Sequence, residues 1–118
     1  MKFIAPIFPA MLLALMACSA PSSEIARQGD YKLTIARSLN YAQGGPSRYS
    51  ISEPWAPLVG QIAVCIREDV ADGRGGFAPS SNYSMYFIED GRITSMVKDN
   101  TIAGCPNRSY SLLQPTPR

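Results

Sequence analysis

The sequence predicts an α+β domain: an N-terminal helix packed on a three- to four-stranded antiparallel sheet, with one disulfide. Two apolar-alternating runs, residues 83–89 and 92–98, flank an Asp90-Gly91 dipeptide and so read as a hairpin. A third alternating run, residues 61–67, supplies another strand, and Tyr31, Ile35 and Leu39 recur every fourth residue, as on one face of a helix.

The N-terminal segment, residues 1–17, reads as an export signal. Lys2 is followed by 15 positions, Phe3 to Ala17, without a charge. As a helix these would rise about 22 Å at ~1.5 Å per residue, short of a hydrocarbon core of about 30 Å, and Pro6 and Pro9 interrupt them. Leu15-Met16-Ala17-Cys18 resembles a bacterial lipobox: an apolar residue, a small one directly before the cut, then cysteine. The chemistry needs that thiol, because the sulfur takes a diacylglyceryl group before cleavage frees the amine for a further acyl chain. The competing reading, an ordinary secretory signal cut after Ala20, would put Pro21 directly after the scissile bond, which signal peptidases disfavour. Two or three acyl chains anchor a protein stably where one does not. Ser19, in place of the aspartate that favours inner-membrane retention in enteric bacteria, leans the destination towards the periplasmic face of the outer membrane.

Residues 18–29, polar and short, read as a lipidated tether, and residues 30–113 as a single domain. Asp30 is placed to cap a helix over residues 31–39, although Tyr31, Leu33 and Ile35 also alternate as a strand would. Gly44-Gly45-Pro46 ends that element, and a short extended piece follows at residues 48–53. Trp55 lies between Pro54 and Pro57, in a loop or at a sheet edge, either as a core anchor or as an exposed contact residue. Residues 61–67 (QIAVCIR) form a buried strand, and residues 68–82, rich in Asp, Gly, Pro and Ser, read as loop.

In the hairpin, a two-residue type I′ turn at Asp90-Gly91 pairs Glu89 with Arg92, Ile88 with Ile93, Phe87 with Thr94 and Met85 with Met96. That register puts Ile88, Tyr86, Ile93 and Val97 on one face and Phe87, Met85, Tyr83 and Met96 on the other. One face meets the helix, and the other is the expected partner-binding surface, with Trp55, Tyr83, Met85 and Phe87 as its candidate residues. Residues 110–113 add an edge strand or simply pack, and residues 114–118, with two prolines, form a disordered tail.

Once Cys18 carries lipid, two cysteines remain, Cys65 and Cys105, and an exported protein meets an oxidising compartment. A Cys65–Cys105 disulfide is expected; two free thiols, or a redox pair lacking the usual Cys-x-x-Cys spacing, are the alternatives. Net charge is +2, with Arg27, Arg37, Arg48, Arg67, Arg74, Arg92 and Arg108 spread along the chain rather than clustered, so no nucleic-acid partner is expected.

Ile51-Ser52-Glu53-Pro54, Val64-Cys65-Ile66-Arg67, Asp90-Gly91-Arg92, Cys105 and Tyr110 together resemble a pattern found in small uncharacterised lipoproteins of alphaproteobacteria. The resemblance spans about 60 residues and implies the lipobox and the disulfide. It implies no catalytic residues, because such proteins have no established activity.

The chain has no histidine, which removes His-based triads and His-bound metals. Glu68, Asp69 and Asp72 form an acidic cluster without the ligand spacing of a calcium loop, and read as a solvated loop rather than an acid/base pair. Gly73-Arg74-Gly75-Gly76 lacks the Gly-Lys-Ser/Thr of a phosphate loop. Asn82-Tyr83-Ser84 and Asn107-Arg108-Ser109 match the glycosylation triplet, which a bacterial lipoprotein ordinarily leaves bare. No catalytic residue, metal or cofactor is expected. The expected function is that of a membrane-anchored envelope lipoprotein, not an enzyme, that binds a protein or cell-wall partner. A periplasmic inhibitor or immunity factor acting on a lysozyme-like hydrolase is the alternative.

Overall fold

Asp30 opens the helix expected over residues 31–39, where a strand is the alternative. In a computed structural model of the chain, which describes residues 21–98 and 102–117, its carboxylate accepts a hydrogen bond from the Leu33 amide at 3.3 Å. This is α2, Tyr31–Ser38, which buries Tyr31, Ile35 and Ala36. It ends at Asn40, whose φ of 53° lets the Asn40 and Tyr41 amides reach back to the carbonyls of Arg37 and Ala36. The stop therefore falls short of Gly44-Gly45-Pro46: an asparagine tolerates the left-handed turn, so the glycines are not needed for it.

Upstream, where the sequence reads as tether, Ser22–Arg27 form a short helix, α1. It has no fully buried residue of its own. Ile25 packs partly buried against the core, and polar side chains complete the docking. Glu24 Oε2 accepts from the Gly60 amide at 2.8 Å, and Gln28, fully buried just after the helix, donates to the Gly60 carbonyl at 3.2 Å and accepts from the Gly91 amide at 3.1 Å. Residues 1–20, which hold the expected signal peptide and Cys18, lie outside the described residues.

Among the described residues the sheet has five strands: β1 Ser47–Ser52, β2 Gln61–Ala71, β3 Phe77–Glu89, β4 Arg92–Lys98 and β5 Tyr110–Leu112. Their order is β4-β3-β2-β1-β5, and every pairing is antiparallel. Cys65 on the central strand is bonded to Cys105, in a 3-10 helix at Ile102–Asn107 that precedes β5. Closing 40 residues of chain in this way restricts the unfolded state by about 4 kcal/mol on the chain-entropy model.

One face of the sheet carries the core. Ile51, Ile62, Val64, Ile66, Tyr86 and Ile88 pack with Tyr31, Ile35 and Ala36 of α2 and with Tyr41 and Leu113. Each fully buried aliphatic side chain here contributes about 1.5–3 kcal/mol through removal from water. Leu113 belongs to this core, and Thr116 bonds twice to the Tyr41 carbonyl at 2.8 Å, so the described part of the expected tail is tied to the body as far as Thr116.

Three expectations about the strands are corrected. The sheet has five strands among the described residues rather than three to four, because residues 47–52 and 110–112 both pair into it. Residues 68–82 are not one loop: β2 runs to Ala71 and β3 starts at Phe77, leaving a short connection. The hairpin turn is as expected, with positive φ at Asp90 (52°) and Gly91 (76°), and Glu89 faces Arg92 and Ile88 faces Ile93. A bulge then shifts the register, so that Phe87 faces Ser95, Tyr86 faces Met96 and Met85 faces Val97. Thr94 is the extra residue, its hydroxyl 3.4 Å from the Phe87 carbonyl. Met96 and Val97 therefore exchange faces relative to the sequence reading.

Candidate functional site

On the sheet face opposite α2, β1 and β2 bring four polar side chains together. The register sets Arg48 opposite Asp69 and Ser50 opposite Arg67, so the four form two neighbouring cross-strand pairs. Asp69 is 2% exposed. Its carboxylate accepts from Arg67 Nε at 2.9 Å and from Ser50 Oγ at 3.2 Å, and Arg48 Nε lies 3.9 Å away. The hydrogen bond from Arg67 to Asp69 raises the guanidinium pKa further.

Aromatic rings extend this network at both ends. Arg48 lies over Phe77 at 4.7 Å, and Arg67 lies over Tyr110 at 4.9 Å. Tyr110 packs against Tyr83, ring centroids 6.1 Å apart, and donates from its hydroxyl to the Cys105 carbonyl at 2.6 Å. Burial pushes the Tyr110 phenol up to about 12, helped by Tyr83 and opposed by Arg67 and Arg108. Nearby, Arg108 stacks over Trp55 at 3.6 Å.

An open groove of about 660 Å³ lies where α2 stops short of the far ends of β2 and β3. Tyr49 and Tyr86 supply rings, and Glu68, Asn82 and Lys98 supply polar ends. Glu68 is oriented by the Ser47 hydroxyl at 2.7 Å and the Asn82 amide at 3.2 Å. The Tyr49 phenol is raised by burial and by the Glu68 charge; the Tyr86 phenol is raised by burial, against a hydrogen bond with Ser38. The groove thus offers aromatic surface, an acceptor carboxylate, an amide and a cation within one concavity. Such a mixture is the kind that can orient a polar ligand.

The candidate contact residues are only partly gathered. Tyr83, Met85 and Phe87 share a face of β3, and Trp55, which bridges Ala63, shares that face. Met85 is buried opposite Cys65, while Trp55, Tyr83 and Phe87 are half-buried. Trp55 is therefore not a core anchor. Of the acidic cluster, Asp69 is buried rather than solvated, Glu68 faces the groove, and Asp72 accepts from the Arg74 and Gly76 amides in the β2–β3 connection. The lipidation candidate, Cys18, lies outside the described residues.

Sequence reasoning missed Arg48, Arg67 and Tyr110. A signal was present: Arg67 follows Ala63 and Cys65 at two-residue spacing on a strand, so it lies on their face and needs a carboxylate there, which Asp69 provides two residues on. Among the described residues no three His, Cys, Asp or Glu side chains are grouped to hold a metal, and no helix is long and apolar enough to cross a membrane. Comparison with family models, with curated proteins and with solved structures finds no match for this chain.

Proposed function

We propose that this chain is a lipid-anchored envelope protein, held through Cys18 at the periplasmic face of the outer membrane, that works by binding and not by catalysis. Its partner, a cell-wall component or a protein, sits in the groove between α2 and the far ends of β2 and β3. The observation that carries this reading is the groove itself, whose volume of about 660 Å³ falls in the usual range for ligand sites and whose wall mixes tyrosine rings with Glu68, Asn82 and Lys98. The two carboxylates nearest to an acid/base role support the same reading. Asp69 is taken up by Arg67 and Ser50, and Glu68 by Ser47 and Asn82, so both already have structural partners.

The test is in-cell photo-crosslinking from Met96, an exposed groove residue, alongside co-sedimentation with purified cell-wall sacculi. A specific adduct, or sedimentation lost in an Asn82→Ala/Lys98→Ala variant, is the expected result. A crosslinked lysozyme-like hydrolase that the protein also slows makes the binding inhibitory. Neither adduct nor sedimentation, or turnover of a cell-wall substrate abolished by Glu68→Gln, overturns the reading.

A further inference from the structure

The connection between β1 and β2 carries the two most exposed large hydrophobic residues among those described, Leu58 at 65% and Val59 at 96%. They are presented by a braced loop. Trp55 exchanges two backbone hydrogen bonds with Ala63, at 3.0 and 2.7 Å, and the Gln61 amide closes a turn on the Leu58 carbonyl at 3.2 Å. Gly60, directly after Val59, is held on both its amide and its carbonyl by Glu24 and Gln28 of the α1 region. The exposed pair is thus fixed beside the first helix of the fold.

That position is tied to the anchor. α1 begins one residue after Pro21, and Pro21 lies three residues after Cys18. A fully extended chain spans at most about 3.6 Å per residue, so Pro21 stays within roughly 11 Å of the acylated cysteine. Glu24, which holds Gly60, is in the first turn of α1. The lipid therefore brings this end of the domain, with Leu58 and Val59, up to the bilayer surface. Charge does not decide the contact, because the same end carries both signs: Arg27 paired with Glu24 at 3.6 Å, and Glu89, Asp90 and Arg92 at the hairpin turn that Gln28 draws alongside.

We infer that Leu58 and Val59 are a second membrane contact: they enter the interfacial layer of the bilayer that holds the anchor and so set the tilt of the domain. This rests on the lipidation of Cys18 proposed above. The probe is the full chain carrying Val59→Trp, processed in a bacterial host, purified in detergent and reconstituted into phosphatidylethanolamine/phosphatidylglycerol vesicles with or without brominated acyl chains. Emission of unsubstituted protein in the same vesicles, due to Trp55, is subtracted. At an interfacial depth of about 5–10 Å the added indole loses more than about half of its emission to bromine. Adding Leu58→Asp, with the circular dichroism unchanged, abolishes that loss. The mass of the N-terminal peptide reads the anchor separately. Lipid mass with equal emission in both vesicle types overturns the loop contact alone, and absence of lipid mass overturns the anchor and the contact together.

Discussion

Replacing Arg67 by methionine strips Asp69 of its closest cation while leaving the carboxylate 2% exposed beneath β1. Breaking a buried ion pair from one side costs about 3–5 kcal/mol, because the remaining charge is left without compensation. Two features lower the expectation here: the Arg67 side chain is 23% exposed, and Arg48 stands 3.9 Å from the same carboxylate. A loss of about 2–3 kcal/mol follows, which in a domain of roughly 100 residues lowers the melting temperature by about 8–24 °C. Replacing both members, Arg67→Met with Asp69→Leu, removes the stranded charge and returns stability to within about 1 kcal/mol of the unsubstituted protein. Urea unfolding of the two single variants and the double variant measures the coupling. If Arg67→Met costs under about 1 kcal/mol, or if the two substitutions simply add, Asp69 is not held in place by Arg67 and the account of this face is wrong.

Three other outcomes are expected. Thiol labelling of natively purified protein finds neither Cys65 nor Cys105, and replacing both by alanine lowers unfolding free energy by about 2–4 kcal/mol. Gln28→Ala leaves the Gly60 carbonyl and Gly91 amide without their partner, at a cost of about 2–3 kcal/mol by chemical denaturation, whereas Ser23→Ala on the exposed side of α1 changes little. At alkaline pH the phenol of Tyr110, near 12 when folded, and those of Tyr31, Tyr49 and Tyr86, also raised, hold their protons longer than in the unfolded chain. Their contribution is complete below the unfolded value of about 10 and is lost as pH rises towards 12. The melting temperature therefore falls across that window, less steeply in Tyr110→Phe.

The helix at Tyr31–Ser38 was legible because its cap and its four-residue spacing are both local, and the Asp90-Gly91 turn because its two positive φ angles demand those residue types. The far halves of β2 and β3 were not legible. Alternation marks a strand when one face is apolar, and there the buried position is Asp69, with Pro79 opposite it where the register slips. The exchange of Met96 and Val97 was hidden for another reason: one inserted residue reverses every side chain beyond it, and Thr94 carries no mark of being that residue. α1 escaped because its six residues offer a single large apolar side chain, Ile25, only partly buried, and gain their place largely through Glu24 and Gln28. The groove draws on α2 and four strands, so no single stretch of sequence contains it.

If the chain is anchored through Cys18 as proposed, the domain is also pulled from that end. Drag on the domain enters at Pro21 and meets α1, whose hydrogen-bonded grips are on Gly60 at the head of β2 and on Gly91 in the turn between β3 and β4. Tension therefore reaches the head of β2 and the β3–β4 turn together, across neighbouring strands. Force directed along those strands shears a long ladder whose rungs share the load, instead of unzipping it one rung at a time. In mechanical terms, one buried glutamine would couple such a leash to two strand ends of the sheet.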